Sequence, residues 1–145
     1  MSIPAELFPE GLQIKPVEST THLWGWKPAD IPQIAAACRE RRYVILSARP
    51  GFFLPDGTCE VYWKTTCPTL KKATESWEQY TDRNSTEFLE LIGKNAELTD
   101  FEKEAMAFRF LRDKRASGLK ITDYLYYDLD IYTEKRYFQF FNNLE

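Results

Sequence analysis

Apolar and polar positions along this chain repeat with two different periods, and each change of period marks a new element. Ile31, Ile34, Ala35 and Cys38 recur at i, i+3, i+4 and i+7, the spacing of one helix face. Pro28 and Asp30 ahead of them suit a first helical turn, where a missing N–H costs little and a carboxylate meets the positive end of the dipole. Arg39, Arg41 and Arg42 complement the other end. Tyr43-Val-Ile-Leu46 then reads as a short buried strand. Arg49-Pro-Gly51 predicts a turn, and Pro55-Asp-Gly57 predicts a tighter one after Phe52-Phe-Leu54. Residues 58–64 alternate and would close a hairpin.

Ser76-Trp-Glu-Gln79 has the form of a capping box, in which serine and glutamine each satisfy a backbone amide of the other. The helix it opens carries Trp77, Tyr80, Phe88, Leu91 and Ile92 on or near one face, with Gly93 placed to end it. Thr99-Asp-Phe-Glu102 has the same form, and Phe101, Ala105, Phe108 and Leu111 supply a further helix face. After Gly118 the period becomes two. Leu119, Ile121, Leu125, Tyr127, Leu129 and Ile131 fall on one side, and Lys120, Thr122, Tyr124, Tyr126, Asp128, Asp130 and Tyr132 on the other. That is the pattern of a half-buried strand, with a helix over 122–132 as the competing reading. Thr133-Glu-Lys-Arg136 can turn the chain, and Tyr137-Phe-Gln-Phe-Phe141 can pair back.

The expectation is one α+β domain, with about three helices packed on a mixed or antiparallel sheet. Its strands come from 43–48, 58–64, 121–131 and 136–141. Residues 1–22 show little periodicity and read as an irregular arm, with a short strand at Leu12-Gln-Ile-Lys15.

Composition narrows the function. Within 145 residues, apolar types make up 43%, too many for a disordered chain and enough for one core. Aromatic residues reach 15%, a surplus of the kind that interfaces use. The formal net charge of −3 argues against a direct nucleic-acid binder. The charge is uneven: residues 75–104 carry nine acidic and three basic groups, and residues 109–120 carry one acidic and five basic. No apolar run is long enough to span a bilayer, and the N-terminal residues do not resemble a signal peptide. Cys38, Cys59 and Cys67 are an odd number of thiols, which fits a reducing compartment and a cytoplasmic protein.

Catalytic equipment is sparse. His22 is the only histidine and lies in the N-terminal arm. The cysteine spacings do not suit zinc, whose structural sites favour pairs two to four residues apart. Asp128 and Asp130 would lie about 7 Å apart on one strand face, close enough to share a cation or to act as an acid/base pair. That face also holds Tyr124, Tyr126 and Tyr132, with Glu134 at its rim. Rings interleaved with carboxylates suit a protein interface better, because they can desolvate and pair with lysine or arginine on a partner. Glu78 and Asp82, one helical turn apart, form a second acidic candidate. Arg109, Arg112, Lys114, Arg115 and Lys120 form a basic cluster, read most simply as cations at the end of a helix.

Residues 24–92 resemble the immunity protein 40 family of bacterial polymorphic toxin systems. The likeness runs from Trp24 and Trp26 through a helix to Tyr43-Val-Ile-Leu46, the Pro-Asp-Gly turn and Val61-Tyr-Trp63. It is strongest in Glu75-Ser-Trp-Glu-Gln-Tyr-Thr-Asp-Arg83. Where the family tends to show Gly-Gly-Asp after the first strand, this chain has Ser47-Ala-Arg-Pro-Gly51, and residues 95–145 do not align. The resemblance implies an antitoxin that binds a cognate toxin domain, and the acidic balance suits a basic one. The expectation is therefore a partner-binding protein with no catalytic residues, metal or cofactor. The alternatives are an inhibitor or adaptor of a nucleic-acid-processing enzyme, and a metal-dependent enzyme using Asp128 and Asp130.

Overall fold

The computed structural model describes residues 17–18, 24–55, 59–61 and 66–142. Most of the expected arm at 1–22, the strand expected at 12–15, His22 and the Asp56-Gly57 turn lie outside them. The chain folds as a single α+β domain. Its order is β1 (Val17–Glu18), β2 (Trp24–Gly25), α1 (Ile31–Glu40), β3 (Val44–Phe53), β4 (Cys59–Val61), α2 (Trp77–Leu98), α3 (Phe101–Ala105), α4 (Arg109–Ala116), β5 (Leu125–Tyr132) and α5 (Glu134–Asn142).

β3 is the central strand, with β4 on one side and β5 on the other, both antiparallel. It runs straight through Arg49-Pro-Gly51, where a turn was expected. The register explains why proline is tolerated there. Pro50 lies opposite Tyr127, whose own N–H and C=O bond to Trp26 on the far side, at 2.8 and 2.9 Å. The N–H that proline lacks therefore points away from β5, and no bond between these strands is lost.

The edge of β3 opposite β5 is closed in three ways. β4 pairs with Gly51–Phe53, the backbone of Thr66 exchanges two hydrogen bonds with Ala48, and the side chain of Asn84 serves Ile45. Asn84 is buried on α2; its Oδ1 accepts from Ile45 N–H at 2.8 Å and its Nδ2 donates to Ile45 C=O at 2.9 Å. A carboxamide side chain thus stands in for one residue of a neighbouring strand, beside the bulge between Ile45 and Ser47.

α1 and α2 pack together, and the main core joins Ile31, Ile34, Ala35 and Cys38 to Ile45, Ala48, Phe88, Tyr127, Leu129 and Ile131. A second cluster sets Phe52, Leu54, Ile121 and Leu125 against Ala105 of α3 and Leu111 of α4. A third gathers Val44, Tyr80, Tyr132 and Tyr137 under α5. The close contact of β2 with the sheet needs glycine: a Cβ on Gly25 would meet the Phe53 ring and Tyr126 Cβ at 3.0 Å.

Other boundaries differ from expectation for local reasons. α2 does not end at Gly93, which is exposed with open space around it, but continues to Leu98. The Ser76–Gln79 capping box is present, with both bonds made. The next cap falls on Asp100, one residue beyond Thr99, where the carboxylate accepts from Lys103 N–H. The face from Phe101 to Leu111 divides into two helices, α3 and α4. The expected strand at 136–141 is helix α5: Thr133 Oγ1 accepts the Arg136 N–H in an N-cap pattern, and no turn residue is present to fold a hairpin. The first residues of the expected 121–131 strand, Ile121–Tyr124, form a 3-10 turn ahead of β5.

Candidate functional site

Five residues of the tyrosine-and-aspartate set expected to form an exposed surface lie on or beside β5, but β5 is covered on both faces. Tyr126, Asp128 and Tyr132 are buried, and Tyr124 and Asp130 are half-buried. Period two correctly placed Tyr126, Asp128, Asp130 and Tyr132 on one face of β5; the error was to assume that this face meets water and that the strand reaches Tyr124. Tyr126 stacks on Phe53 at 5.2 Å between ring centroids, beside Gly25. Tyr132 lies under α5, with Phe140 at 5.8 Å and the Arg136 guanidinium 4.7 Å above its ring. Tyr124 sits in the 3-10 turn and packs on the α3–α4 cluster. Glu134 is exposed at the start of α5.

Between these rings runs a short polar seam. Arg49 Nη2 donates to Asp128 Oδ2 at 2.6 Å, and the Ser47 hydroxyl donates to Asp130 Oδ2 at 2.7 Å. Asp128 is only 5% exposed, and burial raises its carboxyl above the usual range, against the opposing pull of Arg49. Its Oδ1, and Nε of Arg49, have no hydrogen-bond partner among the described residues. Among those residues no group of three His, Cys, Asp or Glu side chains is placed to hold a metal ion.

Of the second candidate pair, Glu78 is exposed and Asp82 half-buried, and both are already engaged. Asp82 Oδ1 accepts from Arg39 Nε and Arg42 Nη1, both at 2.9 Å, and Glu78 accepts from Arg42 Nη2 at 2.9 Å. Arg42 takes a left-handed backbone with φ of 58°, unusual outside glycine. It is held at both ends, because its carbonyl accepts the Trp77 indole N–H at 2.7 Å. One turn further on, Arg83 spends its guanidinium on Glu75, Glu87, Thr69 and the Leu70 carbonyl. The bond to Arg83 is the chief cause that holds the Glu75 carboxyl down at about 2. Glu87 is also lowered: hydrogen bonds from Thr69 and the charge of Arg83 outweigh its partial burial. This network pins the segment leading from Thr66 into α2. The residues of Glu75-Ser-Trp-Glu-Gln-Tyr-Thr-Asp-Arg83 therefore do structural work here: they cap α2, fix the end of α1 and hold the preceding loop.

Two surface features had weak sequence signals. α5 carries Phe140, Tyr137, Phe141 and Phe138 over an arc of roughly 160° at 100° per residue, wider than a single packing stripe. Tyr137 is buried, while Phe138 and Phe140 on the two flanks remain 36% and 49% exposed. Phe138 lies 5.8 Å from Trp77, and Leu70 is 49% exposed in the loop whose Lys71 N–H donates to the Tyr137 hydroxyl. Amphipathic spacing at 134–142 could have revealed this helix, but its aromatic content read as strand. The second feature is α4, where Arg109, Arg112 and Arg115 are all exposed.

Shallow hollows lie on the described surface. One of about 470 Å³ runs along α2 between Arg39, Asp82, Thr86 and Glu90; one of about 240 Å³ lies between Glu102, Arg115 and Lys120. Cys38 is buried and its thiol is pushed up to about 12, whereas Cys67 is exposed. No helix among the described residues is long and apolar enough to cross a membrane. Compared with protein families, curated proteins and solved structures, the chain matches none.

Proposed function

We propose that this chain acts by binding a partner protein, as an immunity protein that neutralises a toxin domain. The observation that carries the reading is the aromatic rim of α5. Phe138, beside Trp77, and Phe140, beside Tyr132, are each more than a third exposed, and Leu70 is a further exposed apolar side chain. Burying these side chains on a partner would return about 25 cal/mol for each Å² of apolar surface removed from water. Large rings of this kind supply contact area at low entropy cost. The partly covered Asp128–Asp130 face offers less, because Asp128 would have to lose Arg49 before pairing with anything else.

An immunity gene should adjoin its toxin gene, so the neighbouring gene product is the partner to test. The two proteins should co-purify as a stoichiometric complex, and this chain should restore growth to cells expressing the neighbour. Phe138→Asp with Phe140→Asp should abolish both effects while leaving the circular dichroism spectrum unchanged. A neighbour that is harmless and makes no complex removes the proposal. A complex that survives the double substitution removes α5 as its seat.

A further inference from the structure

Gly93 is a glycine that the fold itself does not use. It lies inside α2, which continues to Leu98, and its backbone is ordinary helix, so neither a cap nor a left-handed turn requires it. A Cβ there would meet nothing within 4 Å. Glycine inside a helix is less stable than alanine at the same place, because it loses more backbone freedom on folding. What it offers in return is close approach of another backbone, and nothing among the described residues makes use of that.

Its neighbours on the helix surface give the position a meaning. At 100° per residue, Leu89, Gly93 and Ala96 fall within an arc of about 60°, centred roughly 110° round the helix from buried Phe88. All three are exposed. With Ile92, half-buried against the main core, they repeat the i, i+3, i+4, i+7 spacing of a packing stripe, separate from the core face of α2. The next row round holds Glu90 and Glu97, both exposed and two turns apart, about 10.5 Å along the axis. The other carboxylates of α2 are taken: Glu78 and Asp82 by Arg39 and Arg42, and Glu87 by Arg83. Glu90 and Glu97 form no ion pair among the described residues, exposed Lys94 between them included. The hollow of about 470 Å³ between Arg39, Asp82, Thr86 and Glu90 opens on the same side of the helix.

We infer that this face of α2 receives an amphipathic basic helix of a partner protein. The stripe takes the partner's apolar residues, Gly93 lets the two helix axes come close, and Glu90 and Glu97 meet lysines or arginines spaced two turns apart. The same carboxylates select against other occupants. A second copy packed on this stripe would set its own Glu90 and Glu97 against these, and a nucleic acid or an anionic lipid would be repelled.

The inference rests on the partner-binding reading but assigns a second face and the partner's chemistry. The probe is a synthetic two-heptad peptide with leucine at its a and d positions and lysine elsewhere, titrated into the full ¹⁵N-labelled chain. The amides of Leu89, Glu90, Gly93, Ala96 and Glu97 should shift together, and the same peptide with glutamate in place of lysine should not bind. Glu90→Lys with Glu97→Lys should weaken the lysine peptide by about tenfold. Gly93→Leu should weaken it by about as much while melting no lower than wild type, a loss that instability cannot explain. Absence of shifts on this face, equal binding of the glutamate peptide, or undiminished binding to Gly93→Leu overturns the inference. Concentration-dependent shifts of the same amides without peptide also overturn it, because the occupant is then a second copy. The Gly93→Leu chain is finally tested with the neighbouring gene product. Unimpaired binding there refutes α2 as that partner's seat and leaves the immunity reading standing, and lost binding supports both. A neighbour that makes no complex removes the immunity reading alone when the lysine peptide still binds at α2.

Discussion

Asn84 offers the sharpest test of how this fold closes its sheet. It is buried, lies on α2 and makes no contact that α2 itself requires; both of its polar atoms serve the backbone of Ile45. Replacing it with leucine keeps the approximate volume and removes the donor and the acceptor together. Two buried backbone groups are then left unpaired, at about 1–3 kcal/mol each, so the expected loss is about 2–6 kcal/mol. With a urea m-value of about 2 kcal/mol/M, the unfolding midpoint should fall by roughly 1–3 M. Asn84→Asp is the informative companion. It keeps an acceptor for the Ile45 N–H but sets a buried carboxylate against the Ile45 carbonyl, so it should be at least as damaging at neutral pH. Equilibrium urea unfolding followed by tryptophan fluorescence and circular dichroism measures both. If the leucine variant loses less than about 1 kcal/mol with an unchanged m-value, side-chain closure of the strand edge is not what holds β3.

Three further outcomes follow from the charges and thiols. Glu75, Asp82 and Glu87 all have carboxyls lowered in the folded chain, Glu75 from 4.5 to about 2. Their stabilisation is present above the unfolded values and is lost as pH falls through the folded ones, so the melting temperature should drop between about pH 5 and pH 2. Arg83→Met should flatten that drop in a series of thermal melts. Asp128 shifts the other way: its folded value is raised, so its ionised form opposes folding and the opposition fades as pH falls toward that value. The wild type should therefore gain on Asp128→Asn as pH falls toward the folded value, in parallel melts. Iodoacetamide should modify Cys67 rapidly in the native protein and Cys38 only in denaturant, as read by peptide mass mapping; native labelling of Cys38 would contradict its burial.

Local signals settled the elements that are encoded within a few residues. The stripe Ile31–Cys38 is α1, the Ser76–Gln79 box opens α2 with both bonds made, and Tyr43-Val-Ile-Leu46 begins the central strand. These depend on spacing and on side chains that reach their own backbone, both of which are visible in the sequence. The α+β class followed from the same signals. Tyr137–Phe141 was misread because aromatic residues favour strands on average, whereas here the Thr133 cap and the packing of Tyr137 on Tyr80 and Trp77 decide for helix.

Only the tertiary structure decided what lies outside. Period two placed Tyr126, Asp128, Asp130 and Tyr132 on one face, but whether that face meets water depends on where Gly25, Phe53 and α5 come to rest, and no local pattern carries that information. The same holds for charge. Glu78 and Asp82 look like an open acidic face until α1 brings Arg39 and Arg42 across some forty positions of sequence to meet them. The arginines of α4 looked like an ordinary basic helix end, and only the tertiary structure leaves Arg109 and Arg112 without a carboxylate partner among the described residues. A sequence determines which groups are charged and which way they point within an element. Which charges stay available to a partner is a property of long-range neighbours, because each ion pair is made or left open by where distant segments pack.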